Sequence, residues 1–123
     1  MRILVVDDED QILQLVSAML ELEGHEVVTA SHGVEALLMV EDTRPDAILL
    51  DIVLPRMDGA TVAQKLREDP ETADIPIVFL TGLVDGDEMQ RRGPIIGGQY
   101  FLAKPFDAKR LHDVLALATE KNE

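Results

Sequence analysis

Short apolar runs recur along this chain, and each stops at a polar residue before a helical pattern follows. ILVV (3–6) runs into Asp7, EVVTA (26–30) is followed by Ser31, AILL (47–50) ends at Asp51, IVFL (77–80) at Thr81, and YFLA (100–103) at Lys104. Between them the apolar residues fall at helical spacing. Gln11 to Glu23 reads as a helix with Ile12, Leu15, Val16, Met19 and Leu20 on one stripe, closed by Gly24 at a left-handed position. Ser31 is placed to cap a second helix carrying Val34, Leu37, Leu38 and Glu41, and Gly59 to Arg67 forms a third through Val62 and Leu66. A weaker helical stretch spans about 86–92, and Asp107 caps a last helix with Leu111, Val114, Leu115 and Ala118. Apolar strands without alternation must be buried on both faces, which requires a parallel sheet covered by helices on each side. The chain is therefore expected to be α/β, and its 123 residues suit a single domain, 1–123.

Right-handed crossovers bring the C-terminal ends of parallel strands to one edge, where the ligand crevice of an open sheet lies. Asp7 and Asp8 follow the first strand, Asp51 the third, Thr81 the fourth and Lys104 the fifth. Taken alone, Asp7 and Asp8 are as well explained as helix-capping acids. With Asp51, Thr81 and Lys104 at matching strand ends, capping becomes the lesser explanation. Carboxylates gathered so closely need a cation, and an oxygen-lined site with open positions suits Mg²⁺, which keeps several waters and adds a phosphate. One carboxylate can then be the nucleophile that forms an aspartyl phosphate, with Lys104 and Thr81 binding phosphoryl oxygens.

These residues sit in VVDDE (5–9), LLDIVLPRMDG (49–59), FLTG (79–82) and AKPF (103–106), and in that order the chain resembles the receiver domain of bacterial response regulators over nearly its whole length. The resemblance implies a flavodoxin-like, doubly wound, five-stranded parallel sheet of order 2-1-3-4-5. It makes Asp51 the phosphoacceptor, taking a phosphoryl group from the phosphohistidine of a histidine kinase or a phosphotransfer protein. It implies Mg²⁺ held by Asp8, Asp51 and the backbone carbonyl of Val53, with Asp7 acting through water. Lys104 would contact the phosphate, and Lys104-Pro105 would be a cis peptide. Thr81 and the aromatic Phe101 would be the switch pair. Signalling would pass through the face built from the fourth helical stretch, the fifth strand and the last helix, to a downstream protein target or an output domain not present in this sequence. The resemblance implies a switch that assists its own phosphorylation and slow dephosphorylation, rather than an enzyme acting on other substrates. A receiver-like interaction module that is never phosphorylated is the runner-up, and the intact acid set disfavours it.

Other aspartyl-phosphate chemistry fits less well. Haloacid-dehalogenase-type phosphatases carry a second Asp two residues after the nucleophile, where this chain has Val53. No G-x-x-x-x-G-K motif supports nucleotide binding, and the acids at the first turn disfavour a flavin phosphate. A net charge of −13 repels nucleic acid, so none is expected as a direct partner. No apolar run approaches the roughly 20 residues of a membrane helix, and cysteine is absent, so a cytoplasmic protein without membrane insertion is expected. His25, His32 and His112 show no ligand spacing and read as surface or helix residues, and Pro55 and Gly59 read as turn punctuation.

Three departures from the family pattern stand out. Val53 and Leu83 are apolar where receivers often carry polar side chains that orient the hydrolytic water, so slow self-dephosphorylation is expected. Gly93-Pro94 interrupts the fourth helical stretch, which should shorten, kink or displace it. Phe101 lacks a tyrosine hydroxyl, so a switch there would be steric alone.

Overall fold

The computed structural model describes residues 1–82, 95–96 and 99–120. Its elements are β1 (Arg2–Val6), α1 (Asp10–Leu22), β2 (Glu26–Ala30), α2 (Gly33–Thr43), β3 (Ala47–Asp51), α3 (Gly59–Glu68), β4 (Ile77–Thr81), β5 (Ile95–Ile96), β6 (Gln99–Ala103) and α4 (Ala108–Glu120). The sheet runs β2-β1-β3-β4-β6-β5. The five long strands are parallel and follow the expected order, with the fifth of them being β6. The expected five-stranded sheet gains a sixth strand, since β5 pairs antiparallel with β6 through Ile95–Tyr100 and Ile96–Gln99. Two β-branched residues separated from the next strand by Gly97-Gly98 are a hairpin signal that the reading of β-α units passes over. The expected fourth helical stretch, the break at Gly93-Pro94 and Leu83 lie outside the described residues.

Side chains alternate across a strand, so each apolar run feeds two cores at once. Ile3, Val5, Ala47, Leu49, Val78, Leu80 and Leu102 pack with Val16 and Leu20 of α1 and with Leu111, Val114, Leu115 and Ala118 of α4. On the other face Leu4, Val6, Ile48, Leu50, Ile77 and Phe79 meet Ala36 and Val40 of α2 and Val62, Ala63 and Leu66 of α3. β1, β3 and β4 are central, which is why their runs show no alternation.

Helix ends differ from expectation in detail. Gly24 closes α1 with φ +87°, a conformation that suits glycine. The stripe of α1 is shifted, with Leu15 half exposed while Leu13 packs against the core. In α2 the buried stripe is Gly33, Ala36 and Val40, whereas Val34 and Leu38 face solvent. Of the expected stripe Leu37 does pack against the core, but apolar residues lie on both sides of that helix, so periodicity alone misplaced Val34 and Leu38. The cap of α2 is also not Ser31: His32 Nδ1 accepts from the Glu35 N–H, while the Ser31 N–H and hydroxyl donate to Glu35 Oε1. Asp58 and Asp107 cap α3 and α4 by accepting from the N–H groups of Thr61 and Arg110, both at 2.8 Å.

Candidate functional site

The parallel register sets the site. Asp51 pairs with Leu80 across β3 and β4, Thr81 pairs with Ala103 across β4 and β6, and the Lys104 N–H donates to the Thr81 carbonyl at 2.8 Å. On the other side of β3, the ladder ends at Val6–Leu50, one residue before Asp7 and Asp51. Residues from four segments of the chain therefore meet at one sheet edge because their strands end level.

Asp7, Asp8 and Asp51 each bring a carboxylate oxygen to within 4.8 Å of the others. Asp7 and Asp51 are buried, whereas Asp8 is exposed at the mouth. Each buried carboxylate is oriented by a backbone amide two residues on. The Glu9 N–H donates to Asp7 Oδ1 at 2.9 Å, and the Val53 N–H donates to Asp51 Oδ1 at 3.1 Å. The remaining oxygens share one ammonium, as Lys104 Nζ lies 2.6 Å from Asp7 Oδ2 and 3.1 Å from Asp51 Oδ2. The Lys104-Pro105 peptide is cis.

Charge and burial compete here. Burial holds the Asp51 carboxyl above the usual carboxylate range, and the Asp7 charge adds to this, while the Val53 amide and Lys104 oppose it. For Lys104 burial works against the ammonium, but hydrogen bonds to Asp7 and Asp51 outweigh it and hold the pKa above that of an ordinary lysine. An ion pair alone would lower the Asp51 pKa. At Asp51 burial outweighs the ammonium and the amide together. A small, hard cation would add compensating charge, and three converging carboxylates with one exposed to solvent are a donor set suited to Mg²⁺.

Thr81 is buried at the end of β4, next to these groups. Phe101 is partly buried on the α2/α3 face, with its ring 5.5 Å from that of Phe79 and tilted by 30°. Val53 is 60% exposed beside Asp51, an apolar side chain presented at the mouth of the site. Gly59, read from sequence as turn punctuation, is closer to the site than that reading allows. Its N–H donates to the Ile52 carbonyl at 2.8 Å, and a Cβ there would stand 2.2 Å from the Asp51 carbonyl oxygen. Gly59 lies eight residues after the end of β3, and only the packing of α3 against β3 reveals this requirement.

Among the described residues no helix is long and apolar enough to cross a membrane. The response regulator receiver domain family model matches residues 3–116. The DNA-binding dual master transcriptional regulator RpaA of Synechocystis is 42% identical over 111 residues, which are 89% of this chain and 45% of that protein. The response regulator PleD of Caulobacter vibrioides is 47% identical over 106 residues, 86% of this chain and 23% of that protein. The chain thus spans less than half the length of these curated relatives. Among solved structures, the chemotaxis protein CheY4 of Vibrio cholerae superposes with a TM-score of 0.81 at 32% identity, covering 95% of this chain and 97% of that one. The receiver domain of the sensor histidine kinase PA1611 of Pseudomonas aeruginosa, with a magnesium ion coordinated in its active site cleft, gives a TM-score of 0.81 at 30% identity and 96% coverage of both chains.

Proposed function

We propose, for a chain that belongs to the response regulator receiver domain family, a phosphorylation-driven switch in which Asp51 is the phosphoacceptor. The observation that carries this reading is the convergence of Asp7, Asp8 and Asp51 with Lys104 bridging the two buried acids. In the proposed transfer an Asp51 carboxylate oxygen attacks the phosphorus of a phosphohistidine. A P–O bond forms as the P–N bond breaks, and the electron pair leaves with the imidazole nitrogen. The Val53 N–H orients the nucleophile through Oδ1. Asp8, Asp51 and the Val53 carbonyl would hold Mg²⁺, with Asp7 reaching it through water. The bound ion would supply positive charge to the phosphoryl oxygens and relieve the repulsion among the acids.

Lys104 carries three donors, of which Asp7 and Asp51 engage two, so a third can meet a phosphoryl oxygen. Thr81, at the neighbouring strand end, would hydrogen-bond another phosphoryl oxygen. That movement would draw Phe101 inward and alter the face around β5, β6 and α4 that a downstream protein or an attached output domain reads. Hydrolysis resets the switch: a water oxygen attacks phosphorus, the P–O bond to Asp51 breaks, and carboxylate, phosphate and a proton are released. Val53 offers no group to orient that water, which supports a long-lived phosphorylated state. The activity acts on the protein itself, and the same chemistry points to a cytoplasmic domain, 1–123, that meets a histidine kinase or phosphotransfer protein.

The test is incubation with Mg²⁺ and acetyl phosphate followed by intact mass measurement. One added phosphoryl group is expected on the wild type and none on Asp51→Asn. No added mass on the wild type, or addition that survives in Asp51→Asn, overturns the assignment.

A further inference from the structure

Arg67 stands exposed near the C-terminal end of α3, away from the acids. Its guanidinium lies 6.0 Å from the centroid of the Phe79 ring and donates a hydrogen bond to Gln99 Oε1 at 2.5 Å. Phe79 is buried, sits opposite Phe101 in the β4–β6 ladder and touches its ring. Gln99 and Phe101 are two residues apart on β6 and so share a face of the sheet, and Gln99 also pairs with Ile96 of β5. One side chain thus joins α3 to the ring beside Phe101 and to the first residue of the strand that carries Phe101. Arginine suits both contacts, because its planar guanidinium can lie over a ring while its N–H groups donate in the guanidinium's own plane. A basic residue in the last turn of a helix also complements the helix dipole, but a lysine would serve that purpose equally.

The geometry points to Arg67 as a positioning residue that biases the Phe101 ring toward the orientation seen here, and so opposes the activated conformation. This rests on the switch reading of Phe101 given above. The Phe101 ring packs against Phe79, and Arg67 contacts both that partner ring and Gln99 at the start of β6. Loss of the guanidinium therefore favours the activated arrangement before any phosphoryl group arrives. A state populated in advance also accepts phosphate faster, because the two equilibria are linked.

The test uses Phe ring resonances, of which the chain has three sets, from Phe79, Phe101 and Phe106. Wild type with and without Mg²⁺ and acetyl phosphate defines the two end positions of Phe101. In Arg67→Met the unphosphorylated Phe101 signal is expected part of the way toward the phosphorylated position. Labelling by acetyl phosphate should be roughly two- to five-fold faster, the scale of one exposed cation–ring contact. Arg67→Lys keeps the charge at the helix end but not the planar fork, and is expected to melt like wild type while showing the ring shift of Arg67→Met. A Phe101 signal unmoved in Arg67→Met, unchanged labelling, or full restoration of the ring position by Arg67→Lys would each overturn the proposal. Asp51 labelled by mass with coincident Phe101 end positions in wild type would overturn the switch reading and this proposal together, whereas absence of labelling would indict the phosphoacceptor assignment itself.

Discussion

Replacing Gly59 by alanine pushes on the proposed phosphorylation site without touching any of its side chains. The new Cβ would lie 2.2 Å from the Asp51 carbonyl oxygen and 2.9 Å from Ile52 Cα. The first distance is about 0.8 Å short of the closest approach real Cβ atoms show, and the obstacles are backbone atoms that no rotamer change can clear. Alanine is the better helix former by about 1 kcal/mol in a helix interior, and less at the first helical residue. Overpacking of a tight contact costs about 1–3 kcal/mol. The net expectation is a loss of about 1–2 kcal/mol, read as a lower urea midpoint at unchanged slope. The strain is relieved by moving α3 away from the end of β3, which displaces the segment carrying the Asp51 carboxylate and the Val53 amide. A misplacement approaching 1 Å at a reacting group costs on the order of 100-fold in rate. Acetyl phosphate labelling in Mg²⁺ should fall accordingly, while the protein stays folded. Gly82→Ala is the control, since among the described residues a Cβ there meets nothing within 4 Å, and both its midpoint and its labelling should match wild type. A Gly59→Ala protein with an unchanged midpoint and labelling within threefold of wild type would refute the packing argument.

Further outcomes follow from the same geometry. Lys104→Met leaves Asp7 and Asp51 buried without their shared ammonium and should cost about 3 kcal/mol in metal-free buffer, with part of the loss recovered by Mg²⁺ in a thermal melt. Because burial raises the Asp51 pKa, the folded chain binds its proton more tightly than the unfolded chain does. The corresponding stability is present below the ordinary carboxyl pKa and lost as pH rises through the higher folded value. Metal-free melts of wild type against Asp51→Asn should diverge in that direction, with the substituted protein gaining relative stability as pH rises from the acid range toward neutrality. An equal pH profile for both would contradict the burial argument. Val53→Asn places a polar group at the exposed edge of the site and should shorten the acyl-phosphate lifetime severalfold, measured by decay of the phosphorylated mass after acetyl phosphate is removed. Asp107→Ala removes the acceptor for the Arg110 N–H and should lower stability by about 1 kcal/mol in urea without changing the labelling rate.

Much of the molecule was legible before any coordinates. Apolar runs of residues 3–6, 47–50 and 77–80 without alternation demand burial on both faces, and the two cores on either side of β1, β3 and β4 satisfy that demand. Because such strands are parallel, their ends share one edge, so Asp7, Asp51, Thr81 and Lys104 could be grouped from their places in the chain. What periodicity could not decide was which of two apolar sides a helix buries. In α2, Gly33 faces inward where a Cβ would already stand 3.0 Å from Met57 and Val62, and Ala36 is buried with it, while the larger Val34 and Leu38 remain outside. The sequence determined which residues end each strand, since local composition and turn chemistry act over a few residues. Only the tertiary structure decided that one lysine bridges both buried acids, that Gly59 must be glycine, and that Arg67 reaches Phe79 and Gln99. Those facts depend on distances between different elements, which the packing of helices on the sheet sets and no local pattern records.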